Sequence, residues 1–412
     1  MTGTAFPVWG STRRSAAAVI RLRFPNAVPA LEPLAVPADA PDRPFVNPGR
    51  DGRLPWPLPF GSWRVSAEVT LRPVERIDWV TPVGDGRVLA GGATSWLLLL
   101  SDGGVVAMGQ AGGGEQVVDV ARGVFFLPAP SGAVEARSLR DGSLRFLVTP
   151  AYAGGFRRIL IGPDRDRLIV LGVERPRRGH SRRAGLLSVI ESFALPESLE
   201  AGPGAPVPSA PVRSRLVFPT GRVAAARAGH GWFVAVPNEI VELDRELQPR
   251  RLFSGNFVPL SLSVGPGPRL HLVVEAGGRR YYWALTRNGE LAISIALPVG
   301  AGPVIGPPVL SDEGGAALLL ADRILQMHGG GRIAWDRMVG RELEGLPVGA
   351  TRSADGHLLA AAGRSILAMT PDGAIQSLAR VGEPLTSAPI LDPAGRLWVA
   401  GKSRLLRLEA GR

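Results

Sequence analysis

Short apolar runs alternate with polar turns along most of the chain, and they come in groups of four. Residues 308–310, 316–320, 324–327 and 332–335 form one group, each run too short for a helix and bounded by turn residues. Residues 356–362, 364–369 and 374–377 repeat the phrase. Runs of this length between Gly, Asp and Pro predict β-strands. A second mark recurs inside the phrase at Asp102-Gly103, Asp141-Gly142, Asn288-Gly289 and Asp372-Gly373, with the glycine run 329–331 standing in once. Each pair lies between apolar runs. That predicts hairpins on type I′ turns, with both central residues at positive φ.

The corner glycines Gly289, Gly331 and Gly373 stand 42 residues apart at each step, and Gly103 and Gly142 stand 39 apart. A fixed period of this size, four strands to the unit, predicts an all-β fold: a β-propeller of four-stranded blades. Strand-turn-strand units begin near Gly86, Gly123, Asp166, Gly231, Gly267, Gly315, Gly356 and Gly395, which counts about eight blades. Seven is the alternative if one weak unit does not close. The long gap between Gly142 and Gly289 holds a basic insertion at 174–184 and a Pro/Gly-rich connection at 196–215. The last unit ends before its corner and so lacks an outer strand. A ring has to satisfy that edge, and residues 63–71, apolar at alternate positions, are the predicted N-terminal donor. The chain then divides into an extended Pro-rich arm, 1–61, and a propeller, 62–412.

In residues 307–335 the order Pro307-Pro308-Val309-Leu310, Ala317-Leu318-Leu319-Leu320, Ile324-Leu325-Gln326-Met327 and Gly331-Arg332-Ile333-Ala334-Trp335 resembles the repeat of the pyrroloquinoline-quinone-type propeller superfamily. The resemblance extends over about residues 75–410. It implies that the residue four after a corner glycine docks between blades: Trp335, Phe146 and Ile293 occupy that place, while Ser377 departs from the pattern. Asp392, Gly395 and Trp398 also resemble the sensor-type propeller repeat at the same spacing, which gives Trp398 a docking role. The quinone enzymes of the superfamily hold their cofactor with an adjacent disulfide, a calcium ion and a catalytic aspartate. This chain has no cysteine and no acidic cluster resembling a calcium site, which points to a non-enzymatic branch.

Composition narrows the picture. Hydrophobic residues make up 45 % of the 412, and Gly 53 with Pro 38 suits many turns. No apolar stretch reaches the ~18 residues of a membrane span. Without cysteine there is no disulfide, thiolate metal site, cysteine nucleophile or lipid-bearing N-terminal cysteine. Residues 15–20 are too short for the apolar part of a secretion signal. The expected location is cytoplasmic if the chain is complete as numbered, and periplasmic or cell-surface if a signal has been removed. The net charge is +11, and Lys402 is the only lysine. Such an excess attracts acidic partners, anionic membrane surfaces or nucleic acid, less so as salt rises.

Candidate chemistry is sparse. His180, His230, His271, His328 and His357 show no pairing at metal-ligand spacing. There is no Gly-x-Ser-x-Gly elbow and no phosphate loop. No catalytic, metal or cofactor site is expected. Nine arginines lie between 157 and 183, and Arg175, Arg177, Arg178, Arg182 and Arg183 sit on an excursion from one hairpin. Arginine forks grip carboxylate and phosphate bidentately. No aromatic residue interleaves with them, so a nucleic-acid role is less well supported than an acidic protein face or an anionic membrane. Trp9, Phe24, Phe45 and Trp56 punctuate the proline-rich arm, which either packs on its own propeller or reaches over a neighbouring subunit. The expectation is a non-enzymatic scaffold or accessory subunit. Its role would be similar to that of propeller subunits in bacterial outer-membrane assembly machinery, with other protein subunits as partners through the arm and the arginine loop. The alternative is a ligand-binding or hydrolytic propeller with a site at the central channel. That would need polar or acidic residues at the ends of several innermost strands, where the sequence shows mostly apolar ones.

Overall fold

Strands carry nearly all the regular structure. The computed structural model describes residues 53–59, 61–70, 76–84, 86–113, 116–151, 154–162, 165–174, 186–196, 209–210, 212–228, 231–265, 269–339 and 345–411. These contain 33 strands and no helix. They form eight antiparallel blades in chain order. Blade 1 comprises Trp79–Gly84, Arg87–Gly91, Ser95–Leu100 and Val105–Gln110; blade 2, Val117–Asp119, Val124–Pro128, Val134–Ser138 and Leu144–Val148. Blade 3 comprises Gly154–Ile161, Arg167–Glu174, Leu187–Ala194 and Val212–Phe218; blade 4, Ala224–Ala228, Gly231–Val236, Glu239–Leu243 and Pro249–Ser254. Blade 5 comprises Val258–Val264, Arg269–Ala276, Arg279–Thr286 and Leu291–Ala296; blade 6, Val309–Leu310, Ala316–Leu319, Arg323–His328 and Arg332–Met338. Blade 7 comprises Pro347–Arg352, Leu358–Ala362, Ser365–Met369 and Ile375–Arg380. Blade 8 comprises Ile390–Leu391, Leu397–Ala400 and Arg404–Ala410, with Trp63–Thr70 as its fourth strand.

The closure follows the predicted shortfall. Trp63–Thr70 runs antiparallel to Arg404–Ala410, with Trp63 opposite Ala410 and Thr70 opposite Arg404. The two ends of the described chain are thereby joined in one sheet, and no raw edge is left inside the ring.

First strands of neighbouring blades touch one another and surround the axis. Second and third strands are buried on both faces, so they read as continuous apolar runs such as Leu358–Ala362. Fourth strands face outward, and Arg332–Met338 is mostly exposed. The hydrophobic core is a series of layers between blades; one contains Val309 and Ala317 of blade 6 with Leu358 and Met369 of blade 7. Hydroxyls tie the innermost strands together. Ser263 donates to the Pro308 carbonyl at 2.7 Å and Thr351 to that of Pro389 at 2.6 Å, each reaching the next blade.

The corners differ from the expected type I′ turn. Only the glycine has positive φ (Gly103 91°, Gly289 88°, Gly373 87°), while its Asp or Asn neighbour stays at negative φ. The amide of Gly373 donates to Thr370 O, and Thr370 N bonds Ala374 O. This is a type I turn closed by a left-handed glycine, the three-residue hairpin with a bulge. The aspartate supports it by accepting a backbone amide two residues on, as Asp141 does from Ser143 at 3.0 Å. Such an Asx-turn needs no positive φ at the aspartate.

The 196–215 connection is shorter than expected, because from Val212 the chain is already the fourth strand of blade 3. Just before it, Ser209–Ala210 adds in parallel to Leu144–Val148, a fifth strand on the outer edge of blade 2.

Candidate functional site

Consecutive antiparallel strands alternate direction. The turns joining first to second and third to fourth strands therefore gather on one face of the ring, the corner face. The turns joining second to third strands, and the links between blades, gather on the other, the linker face.

The corner face carries the end of the N-terminal arm. Arg53 forms a bridge beside Arg352 and an ion pair with Asp312 at the first turn of blade 6. The Leu54 amide then bonds Arg352 O at 2.6 Å, Ala354 N bonds Trp56 O at 2.8 Å, and Leu58 N reaches Asp355 Oδ1 at 3.1 Å. Residues 53–59 thus form a strap over the corners of blades 6 and 7, reaching blade 8 where Pro59 abuts Gly395. Leu54, Trp56 and Leu58 are buried in the layer formed by blades 7 and 8, with Leu359, Ile366 and Leu397. Trp56 is only 5 % exposed. Trp56, expected to meet a partner, packs its ring within its own propeller. Trp9, Phe24 and Phe45 lie outside the described residues.

Beneath the strap, Arg352 is buried and donates to Gln326 Oε1 at 2.5 Å and Gly356 O at 2.8 Å. Burial pushes its guanidinium down to about 10; Asp312 opposes this and Arg53 adds to it. The charge is kept in place by these acceptors, which fixes the point where the arm joins the ring. The sequence signal for it is an arginine ending an otherwise uncharged strand, Pro347–Arg352.

The strand ends that flank the basic insertion lie at the opposite face. The insertion joins Arg167–Glu174 to Leu187–Ala194, the second and third strands of blade 3. Arg175, Arg177, Arg178, Arg182 and Arg183 lie outside the described residues. Its base is firm: Glu174 accepts from Arg215 Nη2 at 2.7 Å, and the two strands pair without a break from Glu174–Leu187 to Arg167–Ala194.

The three docking residues lie between blades. Trp335, on the fourth strand of blade 6, covers Gly373 of blade 7 so closely that a Cβ there would meet the ring at 2.7 Å. Its Nε1 donates to Pro371 O at 3.0 Å. Phe146 of blade 2 packs with Ile159 and Leu168 of blade 3. Trp398 of blade 8 packs with Val80 and Val88 of blade 1, and its Nε1 donates to Asp392 Oδ2 at 3.0 Å. A further instance comes from a third strand, not a fourth: Trp96 of blade 1 lies against Gly142 of blade 2, where a Cβ would meet it at 2.9 Å.

The innermost strands are more polar than the sequence suggested. Thr81, Asp119, Arg158, Ser263, Thr351 and Arg352 are all buried on first strands. In blade 5, buried His271 bonds Tyr282 Oη at 2.6 Å through Nδ1. Burial pushes His271 down to about 4 and pushes the Tyr282 phenol up, so the imidazole is neutral at pH 7. Among the described residues no cluster of three or more His, Asp or Glu could hold a metal, and no helix is long and apolar enough to cross a membrane.

No family model and no curated protein matches the sequence. Solved structures do match in fold. BamB from Moraxella catarrhalis is 14 % identical, with TM-score 0.56, over 84 % of this chain and 97 % of that one. The Dos1 propeller is 9 % identical, with TM-score 0.59, over 86 % and 95 %. Sqt1 of Saccharomyces cerevisiae is 11 % identical, with TM-score 0.59, over 82 % and 97 %. At such identities the likeness is one of architecture: the chain is a β-propeller.

Proposed function

We propose that this chain is a non-enzymatic scaffold, an accessory subunit of a larger bacterial assembly. Partners would be held by the residues preceding the strap and by the arginine-rich insertion. The strap carries this reading. Its hydrogen bonds and three buried apolar side chains root the preceding 52 residues at a fixed point on the corner face. An anchored, aromatic-bearing segment loses less freedom on meeting a partner than a free tail does. The insertion, rooted in the paired strands of blade 3, serves the linker face in the same way, and its guanidinium groups suit an acidic protein face. Trp335 over Gly373, with its bond to Pro371, favours the pyrroloquinoline-quinone-type repeat within the propellers. Purification of the protein from its native source under mild conditions tests the proposal. The scaffold reading expects a stoichiometric protein partner that dissociates as salt is raised; a lone monomer carrying a small molecule would defeat it.

A further inference from the structure

On the linker face a cavity of about 440 Å³ opens where blades 3 to 6 meet. Most of its polar lining belongs to blade 5, and the strand register explains why. Ser261 pairs with Val273, and Glu275, two residues further on, pairs with Arg280. Residues two apart on a strand, and residues directly opposite each other, share a face of the sheet. Ser261, Glu275 and Arg280 therefore lie on one face of blade 5, the face that Val273 and Tyr282 turn to blade 6. A β-bulge puts Ser261 there, because the register slips between Pro259 and Ser261. Without the extra residue Leu260, Ser261 would oppose Leu272 on the other face. The Ser261 hydroxyl is buried with no hydrogen-bond partner among the described residues. Arg280 donates through Nη1 to the carbonyls of Ala301 (3.2 Å) and Gly302 (2.8 Å), on the link to blade 6. Those bonds hold its guanidinium while leaving its other edge open. Glu275 is exposed at the rim, and among the described residues it and Arg280 form no ion pair although they face each other across two strands. Arg158 also lines the cavity, but it is engaged with a partner of its own. Leu171, Val223, Leu260 and Val304 supply apolar wall.

We propose that this cavity binds a free α-amino acid with a large apolar side chain. A cation and an anion that face each other without pairing match the two charges of a zwitterion, which are carried on a single carbon. The open edge of Arg280 and the Ser261 hydroxyl donate to the carboxylate, and Glu275 accepts from the ammonium. A simple anion would leave Glu275 repelling it, and a simple cation would meet Arg280. The apolar wall takes the side chain, and the volume falls in the range of small-molecule sites. The site is independent of the scaffold reading, since it lies on neither the strap nor the arginine insertion.

Calorimetric titration of the full chain with L-phenylalanine, N-acetyl-L-phenylalanine and L-phenylalaninamide tests this. The expected result is one saturable phenylalanine site, with each blocked form at least about tenfold weaker, the loss of one charge-assisted hydrogen bond. Glu275→Gln, at an exposed position, should bring phenylalanine down to the level of its N-acetyl derivative. Arg280→Gln should bring it down to the level of the amide. Leu260→Trp, which fills the cavity from a partly exposed position, should abolish binding and carries the test if Arg280→Gln lowers the melting temperature. Absence of phenylalanine binding, equal binding of either blocked form, or affinity unchanged in folded Glu275→Gln or Leu260→Trp would each overturn the proposal. Loss of a protein partner on shortening the arm would leave all of these results unchanged, so the two readings fail separately.

Discussion

The two faces of the ring are made from the same strands, yet only one of them repeats. On the corner face the same turn returns blade after blade: Gly289, Gly331, Gly356, Gly373 and Gly395 each have positive φ, and each amide bonds the carbonyl three residues back. On the linker face the connections range from Pro237-Asn238 in blade 4 to the insertion in blade 3. A corner that also packs against its neighbour blade leaves little room for change; Gly373 is covered by Trp335 and Gly142 by Trp96. A linker-face turn meets fewer such demands, and there the second and third strands of blade 3 are joined through an insertion. The strap is the exception that joins the two themes, an irregular segment laid across regular corners.

The difference can be broken at the corners first. Trp398→Ala should cost about 3–5 kcal/mol, because the ring fills the layer between blades 8 and 1 and its Nε1 bond to Asp392 is lost with it. Chemical denaturation measures it. Trp56→Ala should cost about 3 kcal/mol by the same cavity argument and make residues 53–59 sensitive to protease. Unchanged stability would instead mean that the strap does not hold the arm.

Acidification sharpens the account of the interior. His271 has its folded pKa pushed down to about 4 from 6.5, so the unfolded chain takes up the proton first as pH falls. Its effect on stability is absent above pH 6.5 and grows to a loss of up to about 3 kcal/mol near pH 4. His271→Gln should flatten the melting curve over that window. Asp141, held at about 2 chiefly by hydrogen bonds from Ser143, acts at lower pH and does not confuse the comparison. The smallest effect separates backbone from packing. Gly277→Ala places a side chain at positive φ in open space and should cost about 1 kcal/mol. Gly373→Ala adds the clash with Trp335 and should cost about 2–3 kcal/mol. Equal costs would show that the corner does not dock.

The ring was legible because a period survives loss of individual residues. Eight units, the missing outer strand and its donor at 63–71 all follow from glycine spacing and alternation. The turn type did not, since an Asp-Gly pair fits both a type I′ turn and an Asx-supported type I turn with a bulge. Nor did the place of Trp56: proline and aromatics give composition, whereas its burial depends on a groove between blades 7 and 8 that exists only after closure. Arg352 carried a readable signal, a charge ending an otherwise uncharged strand, whereas the bulges beside Arg158 and Ser261 have no local signature.

Removing residues 1–52 while keeping the strap gives the most direct test of the central claim. The account predicts a shortened protein that melts like the full chain but no longer retains its stoichiometric partner in a quantitative pull-down. Retention of that partner at unchanged stoichiometry would contradict it.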